Sequence, residues 1–154
     1  MSGGDGKATK SRSTFRLEVG VEADIRAAPA KIWALLADAP GYVRWNSTVK
    51  SVEGTIAEGG LVKLVSTSAP DRTFKLKVTG VEPEKAMTWS DGFFPMFHAA
   101  RSYALTPNAD GTTRFSMTEV MRGLMLPMIA GSLPDFVPVF EQYAADLKKA
   151  AEAS

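Results

Sequence analysis

Between Phe15 and Arg26 the chain alternates without a break. Phe15, Leu17, Val19, Val21, Ala23 and Ile25 fall on one face; Arg16, Glu18, Glu22, Asp24 and Arg26 fall on the other. A period of two over this length defines a half-buried strand, because successive side chains of extended backbone point to opposite faces. Further β-rich stretches follow at 48–56, 60–68, 72–82, 86–93, 97–106 and 113–122. They are punctuated by Glu58-Gly59-Gly60, Ala69-Pro70-Asp71, Pro83-Glu84-Lys85 and Asn108-Ala109-Asp110-Gly111. Connections this short join antiparallel neighbours, so the middle of the chain is expected to be a meander.

The last hairpin also has a predictable register. A three-residue loop with Gly111 in the left-handed position sets Asn108 opposite Thr112, Leu105 opposite Phe115, Tyr103 opposite Met117 and Arg101 opposite Glu119. This register puts the apolar sets of both strands on one face, whereas a one-residue slip turns one of them outward.

Helices flank the strands. Ala28-Pro29 opens a short one, with Pro in the first turn and Ile32, Leu35 and Leu36 forming an apolar stripe; Tyr42–Trp45 forms a second helical turn after Pro40-Gly41. Near the end, Phe136, Phe140, Tyr143 and Leu147 recur at intervals of four, three and four, the stripe of a long amphipathic helix. The expected fold is α+β: a curved seven-stranded antiparallel sheet, two short helices after the first strand, and a long C-terminal helix against the concave face. Residues 14–154 form one domain in this reading. Met1–Ser13, rich in Gly, Ser and Lys, is expected to be a disordered tail.

Composition narrows the chemistry. There is no cysteine and one histidine among 154 residues, so disulfides, thiolate zinc sites and multi-histidine metal sites are excluded, and no metal or cofactor is expected. A net charge of +1 gives no field for nucleic acid. No apolar run reaches the ~20 residues of a membrane span, and the N-terminus lacks a signal-peptide core, so a cytoplasmic location is expected. Nucleotide-binding, serine-hydrolase and zinc-protease motifs are absent.

The segment Ala28-Pro29-Ala30-Lys31-Ile32-Trp33-Ala34-Leu35-Leu36-Ala37-Asp38 with Tyr42-Val43-Arg44-Trp45-Asn46 resembles the opening of START-like, SRPBCC-type domains, the superfamily of polyketide cyclase/dehydrase-like proteins and lipid-transfer domains. Thr118-Glu119-Val120-Met121-Arg122-Gly123-Leu124 and the closing helix resemble it too, over about residues 14–152. The resemblance implies a helix-grip fold with a deep apolar pocket.

Candidate pocket residues follow from the resemblance for Trp45, which it implies to lie near the pocket mouth, and from strand parity, apolar clustering and the helix stripe for the others. Trp45 and Trp89 are candidate aromatic walls. Phe93 and Phe97, with Phe94 and Met96 around Pro95, are a candidate apolar gate. Met117, Met121, Met125 and Met128 are candidate lining groups, adaptable because thioether side chains are flexible. Phe136, Phe140 and Tyr143 project from the helix stripe, and Tyr103 faces them from the sheet. Glu119 lies on an apolar face opposite Arg101, where a carboxylate is costly unless paired. It is read as a polar anchor or, if desolvated and free, as an acid or base. The leading expectation is non-catalytic binding or transport of a small hydrophobic molecule (a lipid, polyketide or aromatic compound) by a monomer or homodimer. The alternative is a cyclase/dehydratase-like enzyme using Glu119, Arg101 or a Tyr for proton transfer.

Overall fold

The computed structural model describes residues 4–153. Eight strands form a single antiparallel sheet: β1 (Asp5–Ser13), β2 (Arg16–Ile25), β3 (Val49–Gly54), β4 (Leu61–Ser66), β5 (Ala69–Glu82), β6 (Ala86–Phe93), β7 (Phe97–Pro107) and β8 (Thr113–Arg122), in the order β1-β2-β8-β7-β6-β5-β4-β3. The meander β3 to β8 is thus a run of neighbours, and β2 joins its far end by pairing with β8. Helices α1 (Pro29–Leu36) and α2 (Tyr42–Trp45) connect β2 to β3. A short helix α3 (Leu126–Ile129) and a 3-10 turn (Ala130–Ser132) precede the long helix α4 (Phe136–Glu152).

The sheet therefore has eight strands, not seven, and the two short helices follow the second strand. The additional strand is β1, within the stretch expected to be a disordered tail; Met1–Gly3 lie outside the described residues. The sequence conceals β1 because it buries almost nothing. It is held by backbone pairing along β2 and by bonds outside the ladder: the Asp24 amide donates to the Gly4 carbonyl at 3.0 Å, and the Ala8 amide to Glu141 Oε2 on α4 at 2.9 Å. Phe15, expected on the inner face of a strand, sits instead in the β1–β2 turn and is half exposed.

The expected register of β7 and β8 is the one observed. Leu105 pairs with Phe115, Tyr103 with Met117 and Arg101 with Glu119. Gly111 has φ of 90°, the left-handed conformation this turn requires, and the Asn108 amide donates to the Thr112 carbonyl at 2.8 Å.

Helix α4 begins at Asp135, whose carboxylate accepts the Val137 amide at 3.1 Å, satisfying one of the free N–H groups of a helix start. Its buried stripe is Phe140, Tyr143, Ala144, Leu147 and Ala151. It lies against β2 and β1, with α1 and α2 beside it, so it covers one side of the concave face. Its far end is clamped by charge. Arg114 Nε and Nη2 bond the two Asp24 carboxylate oxygens at 2.9 and 3.0 Å, Lys148 Nζ donates to the Asp24 carbonyl at 2.9 Å, and the Arg26 amide donates to Glu152 at 2.9 Å.

Candidate ligand-binding site

Where α4 faces the sheet, the interior is a cluster of rings. Tyr42 from α2, Trp89 from β6, Tyr103 from β7, Phe115 from β8, and Phe140 and Tyr143 from α4 are each at most 1% exposed. Trp89 lies 5.2 Å from Tyr103 and 5.9 Å from Tyr42, and Tyr143 lies 6.2 Å from Tyr103 and 6.3 Å from Phe115, centroid to centroid. These are contact distances for aromatic rings. The deep cavity implied by the resemblance is therefore filled here: Trp89, Tyr103, Met117, Phe140 and Tyr143, expected to line a hollow, interlock as core. Two depressions lie elsewhere. One, of about 160 Å³, is on the outer face over Gly20, Ser116 and Thr118; the other, of about 230 Å³, lies between the start of β1 and α4.

The cluster carries polar groups in a defined arrangement. Arg101 Nε and Nη2 both meet Glu119 Oε1 at 2.8 Å, with the side chains 19% and 13% exposed. The guanidinium carbon lies 5.0 Å above the Phe140 ring and 5.9 Å from Tyr143, so cation–π attraction adds to the ion pair. Burial disfavours the Arg101 charge, but the Glu119 carboxylate together with the neighbouring Tyr103 and Tyr143 outweighs it, and the Arg101 pKa lies above that of an ordinary arginine. The Tyr143 hydroxyl donates to Tyr103 Oη at 3.3 Å, and the Tyr42 hydroxyl to the Leu36 carbonyl at 2.5 Å. Burial raises all three phenol pKa values, with nearby Arg101 partly opposing it at Tyr103. The three are neutral hydrogen-bonding groups near pH 7, not phenolate bases.

Trp45 closes the cluster from α2, 5.0 Å from Tyr42 and edge-on to Tyr143 at 5.8 Å. Its ring is partly exposed, yet its Nε1 is buried with no hydrogen-bond partner, and so is Asn46 Nδ2 beside it. These unsatisfied donors escape sequence reasoning because they depend on which side chains reach them. The only signal in the sequence is that a buried indole requires a partner.

Beyond Arg101 the concave face is incompletely covered. Phe74 and Leu76 on β5, Phe97 and Ala99 on β7, and Phe136 and Val137 on α4 are only partly buried. A rim at this end exposes Phe93 (72%), Met128 (79%), Phe94, Met96, Leu124 and Met125; Met121 just below is buried. The β6–β7 tip and the segment after β8 are tied together: the Leu124 amide donates to the Pro95 carbonyl at 2.9 Å and the Met125 amide to the Met96 carbonyl at 3.0 Å. Gly123 makes the approach possible, since a Cβ there would lie 2.3 Å from the Met96 carbonyl oxygen. Of the sequence-derived candidates, then, Phe93, Met125 and Met128 lie at this exposed apolar end, Phe97 and Phe136 are partly buried beside it, and Arg101 and Glu119 pair with one another further in. Among the described residues no group of three acidic or histidine side chains is placed to hold a metal.

A curved antiparallel sheet gripping a long C-terminal helix is the helix-grip fold that the sequence resemblance implied. The sequence profile described as polyketide cyclase / dehydrase and lipid transport matches residues 16–152, and the chain belongs to that family. Solved structures of similar fold include a protein from Rhodobacter sphaeroides, 20% identical with a TM-score of 0.67, over 94% of this chain and 97% of that one. A START superfamily protein from Mycobacterium smegmatis is 16% identical with a TM-score of 0.63, over 88% and 97%. A point mutant of norcoclaurine synthase from Thalictrum flavum, in complex with a transition-state analogue, is 13% identical with a TM-score of 0.65, over 92% and 97%. No curated protein matches the chain in sequence.

Proposed function

We propose that the protein binds or carries a small hydrophobic molecule, seated between the half-covered part of the sheet and the start of α4, with Arg101 and Glu119 as its polar floor. The observation that carries this reading is the ion pair itself: a charged pair set among Phe140, Tyr143 and Tyr103, where an apolar pair of similar volume would cost less. The exposed Phe and Met rim above it supports an entry route. Because the interior is filled without a guest, entry requires the 93–97 tip and the 124–133 segment to move outward together, as a minor conformation that a ligand stabilises. Removing about 300 Å² of apolar ligand surface from water contributes roughly 7–8 kcal/mol before ordering costs.

The cyclase/dehydratase-like alternative uses the same seat but requires a free acid or base. Glu119 is held by Arg101 and the phenols are neutral, which favours binding over proton transfer.

Titration with the neutral fluorophore N-phenyl-1-naphthylamine tests the reading. Saturable binding at one probe per chain is expected, with displacement by fatty or aromatic competitors. Glu119→Gln should retain most of that binding. Absence of saturable binding by any neutral apolar probe would overturn the proposal.

A further inference from the structure

Two hydrogen-bond donors of the aromatic interior have no acceptor. Trp45 Nε1 and Asn46 Nδ2 are buried without partners. The orientation of the Asn46 amide is fixed by Thr48, whose backbone N–H and hydroxyl donate to Oδ1 at 2.9 and 2.6 Å. A backbone N–H can only donate, so the atom facing it is the oxygen and the NH₂ group faces elsewhere. The three phenols of the cluster keep their protons, and the one carboxylate beside them is engaged by Arg101.

From these unpaired donors we infer that the guest supplies the missing acceptor, and that the Trp45 indole N–H is the donor that recognises a neutral carbonyl oxygen on it. The inference rests on the reading of the site as a seat for an apolar guest and narrows the class of guest to ketones, quinones and esters. An indole N–H only donates, and left unpaired in the interior it carries the full cost of its lost hydration. A carbonyl removes that cost; a hydrocarbon does not. A hydroxyl can accept the indole N–H as well, but brings a donor of its own that must then be satisfied. A carboxylate brings a charge with no counter-charge, because the Arg101 guanidinium is already matched by Glu119. Both donor atoms are covered in this structure; Asn46 is 1% exposed as a whole residue, whereas part of the Trp45 residue, edge-on to Tyr143, meets solvent, so Trp45 is the donor that opening of the site uncovers.

The test compares two probes of nearly equal shape, 2-acetylnaphthalene and 2-ethylnaphthalene, on ¹⁵N-labelled protein. The chain has three tryptophans, and the indole cross-peak of Trp45 is the one lost in Trp45→Phe. On the wild-type protein the acetyl probe should bind about five- to tenfold more tightly than the ethyl probe and move the Trp45 indole proton downfield. In Trp45→Phe, which keeps a ring, that preference should vanish while the ethyl probe still binds. Equal binding of both probes to wild type with an unmoved Trp45 signal would overturn the inference and leave the apolar seat intact. Failure of both probes to bind would overturn the seat and the inference together. The wild-type spectra decide the matter even if Trp45→Phe does not fold.

Discussion

Glu119 and Arg101 carry opposite charges on a face otherwise built of Phe, Tyr and Met side chains, and each makes the other tolerable there. Removing one partner strands the other, so Glu119→Leu or Arg101→Met should each cost about 2–4 kcal/mol, whereas the double variant should recover most of that loss. Urea unfolding midpoints of the four proteins check this. Equal and additive losses would mean that the two charges do not depend on one another. This pair was legible in the sequence because period-two parity and the Asn108–Gly111 turn together fix the register. The unsatisfied Trp45 N–H was not legible, because satisfaction depends on every group that reaches an atom. Nor was the filled interior, because whether Trp89, Tyr103 and Tyr143 leave a space or close it is decided by side-chain rotamers and volumes rather than by pattern.

At the scale of elements, helix α4 is held by its Glu141 and Glu152 carboxylates and by Lys148 as well as by its apolar stripe, while the Asp24 carboxylate ties β2 to β8 beneath it. The Arg26 amide, with Lys148 assisting, lowers the Glu152 pKa from 4.5 to about 2, and Arg114 lowers that of Asp24. A carboxylate whose folded pKa is depressed contributes stability that is fully present above its unfolded value and is lost as pH falls towards the folded one. The thermal midpoint should therefore fall between about pH 4.5 and 2, and Glu152→Gln should flatten part of that fall while lowering the midpoint at pH 7. Melting curves across this range provide the check; an unchanged profile in Glu152→Gln would remove the clamp from the account. The rim depends on a different device. At Gly123, φ is 141° and the Met96 carbonyl leaves no room for a Cβ. Gly123→Ala should lower stability by about 1–3 kcal/mol and speed hydrogen exchange at the Leu124 and Met125 amides, which bond the β6–β7 tip. Strand β1 was missed in the sequence for the converse reason: it is made by backbone pairing to β2, which leaves no mark in the hydrophobic pattern. Its amides facing β2 should be protected from exchange.

For the molecule as a whole, the sheet and helices bury the centre of the grip completely and leave one end apolar and exposed. Among the described residues no helix is long and apolar enough to cross a membrane, so the Phe and Met rim is not the margin of a transmembrane helix. The most direct measurement of the central claim, that this end admits one small apolar guest, is native mass spectrometry of the full chain, both as purified and after incubation with 2-acetylnaphthalene. A single adduct of one guest per chain is expected, weakened when Arg101 is replaced by methionine. A bare protein mass at every loading would contradict it.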